Sequence, residues 1–188
     1  MKPLAHRLHH RTSRGFTLTE LMIVVAMIGV LSALALVGYR KYVDSAKNNE
    51  AVAVIQAIRS AEEEFRDKTL TYFDVSNSGN YYPRAKGTVD SRKASWQKAA
   101  TDTEGVRWAT LGVNVSGPVA FTYKANAGQA GTPINVPGGI DYSPAPTFTT
   151  PTKDWYIVQA YGDPNENGKP TVLLSTSFSN EIVVHEDQ

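Results

Sequence analysis

The sequence predicts an α+β chain. One long N-terminal helix, membrane-spanning in its first half, packs by its second half on an antiparallel β-sheet head. Three observations predict it. Leu21–Tyr39 is a run of 19 residues without a charge. Ala51, Val54, Ile58, Ala61 and Phe65 then recur at spacings of three and four, the period of an amphipathic helix. Beyond residue 105, short runs of alternating apolar and polar residues are separated by Gly, Pro and Asn, the pattern of strands and turns. The chain has 188 residues, 41% hydrophobic and 20% charged, which suits a folded chain with one sizeable core.

Charge and cysteine content exclude several classes of function. With 19 Lys+Arg against 18 Asp+Glu the net charge is +1, so no strong field recruits nucleic acid. There is no Cys, hence no disulfide, thiolate zinc site, iron–sulfur cluster or cysteine nucleophile. The cations are unevenly placed. Lys2, Arg7, Arg11 and Arg14 fall in the first fourteen residues, which contain no acid, and the remainder is mildly acidic.

The 19-residue run makes about 28 Å of helix at 1.5 Å per residue, close to the ~30 Å hydrocarbon core. It is longer than a signal-peptide apolar region, and Tyr39-Arg40-Lys41-Tyr42 offers no small-residue cleavage site. The preceding cations predict a cytoplasmic N-terminus and an exported C-terminal bulk. Glu20 stands at the edge of the span, where an unpaired acid is costly. No Pro occurs between Phe16 and Lys68, so one helix of about 50 residues is expected, roughly 75 Å long. The Glu run at 62–64 reads as a solvated face of it.

The remainder reads as a head built mainly of strands. A polar, aromatic-dotted connection occupies 70–104, and KASWQKAA (93–100) within it suits a short helix. Strands are expected at 106–115 and 118–125, joined at Ser116-Gly117, and at 154–162, 171–177 and 181–186. Residues 126–153, rich in Gly and Pro, read as an irregular surface loop.

The stretch Arg14–Gly29, RGFTLTELMIVVAMIG, resembles the N-terminal signature of type IV pilins and pseudopilins. Gly15, Phe16, Thr17, Leu18, Glu20, Leu21 and Gly29 match it, and Tyr39 and Tyr42 fit its continuation. Thr19, where an apolar residue is commoner, and Val37, where many pilins carry Pro, depart from it. The resemblance covers about the first 55 residues. It implies a pilin fold divided into a cleaved basic leader (1–15), a transmembrane and filament-core half-helix (16–39), an amphipathic half-helix (40–69) and a β head (70–188). It also implies that a prepilin peptidase cuts between Gly15 and Phe16 and methylates the new Phe16 amine, and that Glu20 pairs with the amine of a neighbouring subunit during assembly.

The implied function is that of a structural pilus subunit serving attachment, motility or uptake, not an enzyme. A type II secretion pseudopilin is the alternative, and a membrane-anchored binding domain a more distant one. The implied partners are further copies or co-assembling pilins through the N-terminal helices, the peptidase, an inner-membrane platform protein and an assembly ATPase, with no specific nucleic acid. The implied location is the bacterial inner membrane as precursor, N-terminus in and C-terminus out, then an extracellular pilus or periplasmic pseudopilus.

Sites in the head are fewer. Asp163, Asn165 and Asn167 alternate before Gly168 like the opening of a calcium loop, but Leu174 stands where that loop needs a bidentate Glu. A hairpin turn explains the same residues, so no cofactor is expected, with calcium as the alternative reading. His185 reads as a solvated histidine, Tyr72–Tyr82 as loop anchors, and Asn114-Val-Ser116 as a sequon by pattern only. No nucleophile elbow, P-loop or dinucleotide motif is present.

Overall fold

The computed structural model describes residues 15–77, 79–85, 92–96, 103–134 and 147–186. Residues 1–14 of the basic leader, the tail of the KASWQKAA segment and the middle of the Gly/Pro-rich loop lie outside them. The chain divides into two compact units, Met1–Lys41 and Tyr42–Gln188. Helix α1, Leu18–Thr69, is continuous from the first into the second. It passes through Val37 without interruption, as expected of a sequence with no Pro there.

Its C-terminal half enters the core on the expected stripe. Ala51, Val54, Ile55, Ile58 and Ala61 are buried, in one cluster with Tyr123, Ala125, Tyr156, Val158, Ala160 and Leu173 of the sheet. Glu63 and Glu64 are exposed, as the reading of 62–64 as a solvated face expects, but Glu62 is fully buried, which overturns that reading at this one position. The cause is periodicity: Glu62 lies seven residues after Ile55 and four after Ile58, on the buried stripe itself.

Helix α1 ends at Leu70, whose φ of 65° lies in the left-handed region and whose amide donates to the Arg66 carbonyl at 2.7 Å. This is the place a helix normally gives to Gly. The Leu70 side chain is 81% exposed, so little packing offsets the backbone strain. Leu70→Gly is expected to stabilise the head by about 1 kcal/mol, seen as a higher urea midpoint. An unchanged or lower midpoint contradicts it.

The sheet is a four-stranded antiparallel meander in the order β1-β2-β3-β4, with β1 Thr122–Gly128, β2 Trp155–Gly162, β3 Thr171–Thr176 and β4 Ile182–Glu186. The last three fall where the sequence pattern puts them. Val158 pairs with Ala125 on one side and Ser175 on the other. Leu173 pairs with Val184, so the C-terminal region is held by strand pairing.

Two expectations fail. Residues 106–115 are not a strand, because Thr103–Leu111 forms helix α2. Trp108 and Leu111, three apart, are its buried residues, and Gly112, at φ 81°, closes it by donating to the Trp108 and Ala109 carbonyls. Val106, Trp108 and Thr110 imitate a strand by alternating, but burial follows the helical period. With no strand there, the hairpin at Ser116-Gly117 is absent too.

The second strand also shifts: β1 starts at Thr122 rather than 118. The apolar residues before it are buried without joining the sheet, and Val119 only bridges Ala94. That bridge gives 93–96 an irregular form rather than the start of a helix. The Gly/Pro-rich loop contributes to packing. Ile134 and Phe148 rest against Trp155, Ile157 and Leu174 on the sheet face away from α1, so both faces of the sheet are covered.

Candidate functional site

The segment that carries the sequence motif is Gly15–Tyr39. Thr17, Glu20 and the start of α1 form a reciprocal cap. The Glu20 amide donates to Thr17 Oγ1 at 3.2 Å. In return Glu20 Oε2 accepts the Thr17 amide at 2.9 Å and the Thr17 hydroxyl at 2.7 Å. This is the capping box S/T-x-x-E/Q, which satisfies two of the amides that the first turn of a helix leaves without partners. It also sets a carboxylate at the positive end of the helix dipole, a favourable placement for negative charge. Within the subunit Glu20 therefore has a local role. The sequence analysis singled out Glu20 and missed that Thr17 holds it, although the signal, Thr-x-x-Glu before an apolar run, is in the sequence.

Gly15 and Phe16 precede the helix and are exposed, Phe16 to 84%. A Cβ on Gly15 would meet nothing within 4 Å, so folding places no demand for glycine there. The same holds for Gly29 and Gly38. Along the helix Leu21, Met22, Ile23, Val24, Val25, Met27 and Ile28 all stand exposed, and the apolar window that is long enough to cross a membrane has none of its residues buried. Such a surface is covered by lipid or by other chains.

The other candidate residues sit in the head. In the 163–168 loop the Asn167 amide donates to Asp163 Oδ1 at 3.2 Å and the Gly168 amide to Asp163 Oδ2 at 2.9 Å. Asn165 Oδ1 also accepts the Asn167 amide at 3.2 Å, and Asn167 Oδ1 accepts the Lys169 amide at 2.7 Å. Lys47 of α1 donates to the Pro164 carbonyl. These side-chain oxygens thus accept backbone N–H groups within the loop, an arrangement of Asx turns. Among the described residues no group of three or more His, Asp or Glu gathers as a metal site.

His185 is half-buried in β4, opposite Val172. Tyr72 meets Tyr156 edge-on at 4.8 Å, Tyr81 donates to Gln159 at 2.7 Å, and the buried Tyr82 donates to the Trp96 carbonyl. These tyrosines anchor loops. Asn114 and Ser116 are exposed.

Comparison with known proteins adds to this geometry. Residues 10–36 match the family model described as the prokaryotic N-terminal methylation motif. The type IV major pilin protein PilA of Myxococcus xanthus is 35% identical over 105 residues, 56% of this chain and 46% of that protein. The type IV major pilin protein PilE1 of Neisseria gonorrhoeae is 44% identical over 52 residues, 28% of this chain and 32% of that one. A fimbrial protein of Pseudomonas aeruginosa is 43% identical over 53 residues, 28% of this chain and 34% of that one. The aligned part of the chain spans less than half the length of each of these relatives. No solved structure gives a significant match. A methylation motif laid over the start of α1, and type IV pilin relatives aligned over 52 residues or more, make this chain similar to type IV pilins over part of its length.

Proposed function

We propose that this chain is a structural subunit of a type IV pilus filament, made as a membrane-anchored precursor and polymerised through the N-terminal half of α1. One observation carries the reading furthest. An apolar helical surface long enough to cross a membrane buries none of its residues within its own chain, so it needs lipid before assembly and other subunits after it. Relatives whose names are type IV major pilin or fimbrial protein support the same reading.

In this reading the basic leader stays in the cytoplasm and the head is exported. A prepilin peptidase cuts between Gly15 and Phe16. Glycine serves the peptidase rather than the fold, since a backbone without a Cβ can lie extended and close against a cleft. The new Phe16 amine is methylated, and Glu20, four residues beyond Phe16, meets the amine of a neighbouring subunit. A platform protein and an assembly ATPase do the mechanical work, so the subunit needs no catalytic group.

Mass spectrometry of the cell-associated protein tests the processing. The mature chain is expected to begin at Phe16 and to carry one added methyl group. A mature N-terminus at Met1, or beyond Tyr39, rejects the pilus-subunit reading. Deletion of the gene is expected to remove surface filaments.

A further inference from the structure

Glu62 is the least expected residue in the head. Its side chain, on the buried stripe of α1, is fully buried. Oε2 accepts the Phe73 amide at 3.0 Å, while Oε1 is buried with no hydrogen-bond partner. A carboxylate in such a place lacks the compensation that buried charges require.

The charged and titratable groups around it offer no relief. On α1, Glu63 adds repulsion, Arg66 is committed to Glu63 at 3.8 Å and to the Tyr72 hydroxyl, and Arg59 donates to Ser175 and Asn180. On the connecting segment Asp74 adds further repulsion, and Tyr72 is bound to Glu63. On α2, Arg107 spends its guanidinium on the Val75 and Asp74 carbonyls. On β2, the Tyr156 ring lies against Tyr72.

The segment that Glu62 grips is where three elements meet. The Phe73 ring lies 5.0 Å from Phe65 of α1. Asp74 accepts from Asn126 and Ala127 of β1, and the Ser76 amide donates to the Ala125 carbonyl. Arg107 ties the same segment to α2.

We infer that Glu62 is a proton-operated latch: as a neutral acid it holds segment 72–76 against α1, and on losing its proton it lets that segment open while the sheet stays closed. Burial, with the two neighbouring acids, raises the Glu62 pKa to about 8. The sign follows. The closed form keeps the proton and the open form, with an ordinary carboxyl, releases it, so closure is tightest in acid and weakens as pH rises toward 8.

Amide hydrogen exchange on the full chain in detergent micelles tests this. Between pH 6 and 8 the protection of the 72–76 amides, corrected for intrinsic exchange, is expected to fall about tenfold per pH unit, as release of one proton on opening requires. It should level off above pH 8. The strand amides of Val158 and Leu173 should stay better protected throughout. In Glu62→Gln, where the amide oxygen still accepts from Phe73 and no charge forms, the pH slope should vanish.

Should Glu62→Gln fail to fold, Glu62→Met supplies the uncharged comparison, with lower but pH-independent protection. A flat profile in the natural protein overturns the inference. So does a slope that persists in the uncharged variant, or equal protection of 72–76 and the strands at every pH. None of these outcomes depends on filament assembly.

Discussion

Glu20→Ala is expected to be cleaved after Gly15 and to assemble at a small fraction of the natural yield. The capping box makes this result ambiguous unless two controls accompany it. Alanine removes both the carboxylate offered to a neighbouring amine and the side-chain half of the box with Thr17. Loss of a cap costs about 0.5–2 kcal/mol. Stranding one partner of a buried ion pair costs about 3–5 kcal/mol, or roughly a hundredfold to a few thousandfold in subunit association at 1.4 kcal/mol per tenfold.

Glu20→Gln separates the two effects, because its amide oxygen can still accept from the Thr17 amide while carrying no charge. It should assemble as poorly as Glu20→Ala. Thr17→Ala breaks the box from the other side and keeps the acid, so it should lose about thirtyfold or less. Filament yield in sheared fractions, normalised to mature subunit, is the measurement. Normal yield from Glu20→Gln removes the charge-pair argument, and equal losses in Thr17→Ala and Glu20→Ala reduce Glu20 to a helix cap.

The parts of this molecule that were legible in its sequence are those in which one period dominates. Leu21–Tyr39 has no charge to compete with its apolar reading, and the stripe through Ala51, Ile58 and Ala61 has a single helical solution. Strands β2, β3 and β4 alternate between turn residues and admit only one pattern. The failures share a different physics. Val106, Trp108 and Thr110 alternate while Trp108 and Leu111 also keep helical spacing, and the choice is made by what Trp108 meets at long range, Tyr82 and Trp96. The Val119–Phe121 run is buried as an apolar run should be, but its backbone pairing is decided by distant Ala94 and not by its own composition.

Glu62 shows the opposite error. Its position on the buried stripe was readable from Ile55 and Ile58, and the identity of the residue as an acid outweighed the spacing. At the candidate site the motif residues were evident, whereas Thr17 holding Glu20 needed recognition of a cap rather than of a family.

Truncation is expected to have the larger effect on folding. A chain running from Lys41 to Gln188 lacks the apolar run Leu21–Tyr39 and retains essentially all of the second compact unit. At about 150 residues it should bury close to 70% of its unfolded surface, enough for a core without disulfides. It should be soluble, monomeric and cooperative in unfolding. Starting instead at Lys68 removes Ala51, Val54, Ile55, Ile58 and Ala61 from the core cluster. At about 1.5–3 kcal/mol for each fully buried large apolar side chain, Val54, Ile55 and Ile58 alone contribute about 5–9 kcal/mol. That is comparable to the whole stability of an ordinary domain. The loss also bares Tyr123, Tyr156, Val158 and Leu173, which then form an apolar sheet face open to other chains. The shorter chain should lose its cooperative transition and run as aggregate on size exclusion, with circular dichroism reporting the loss of fixed structure. A shorter chain as soluble and as cooperatively folded as the longer one would mean that α1 is an attachment to the head rather than part of its core.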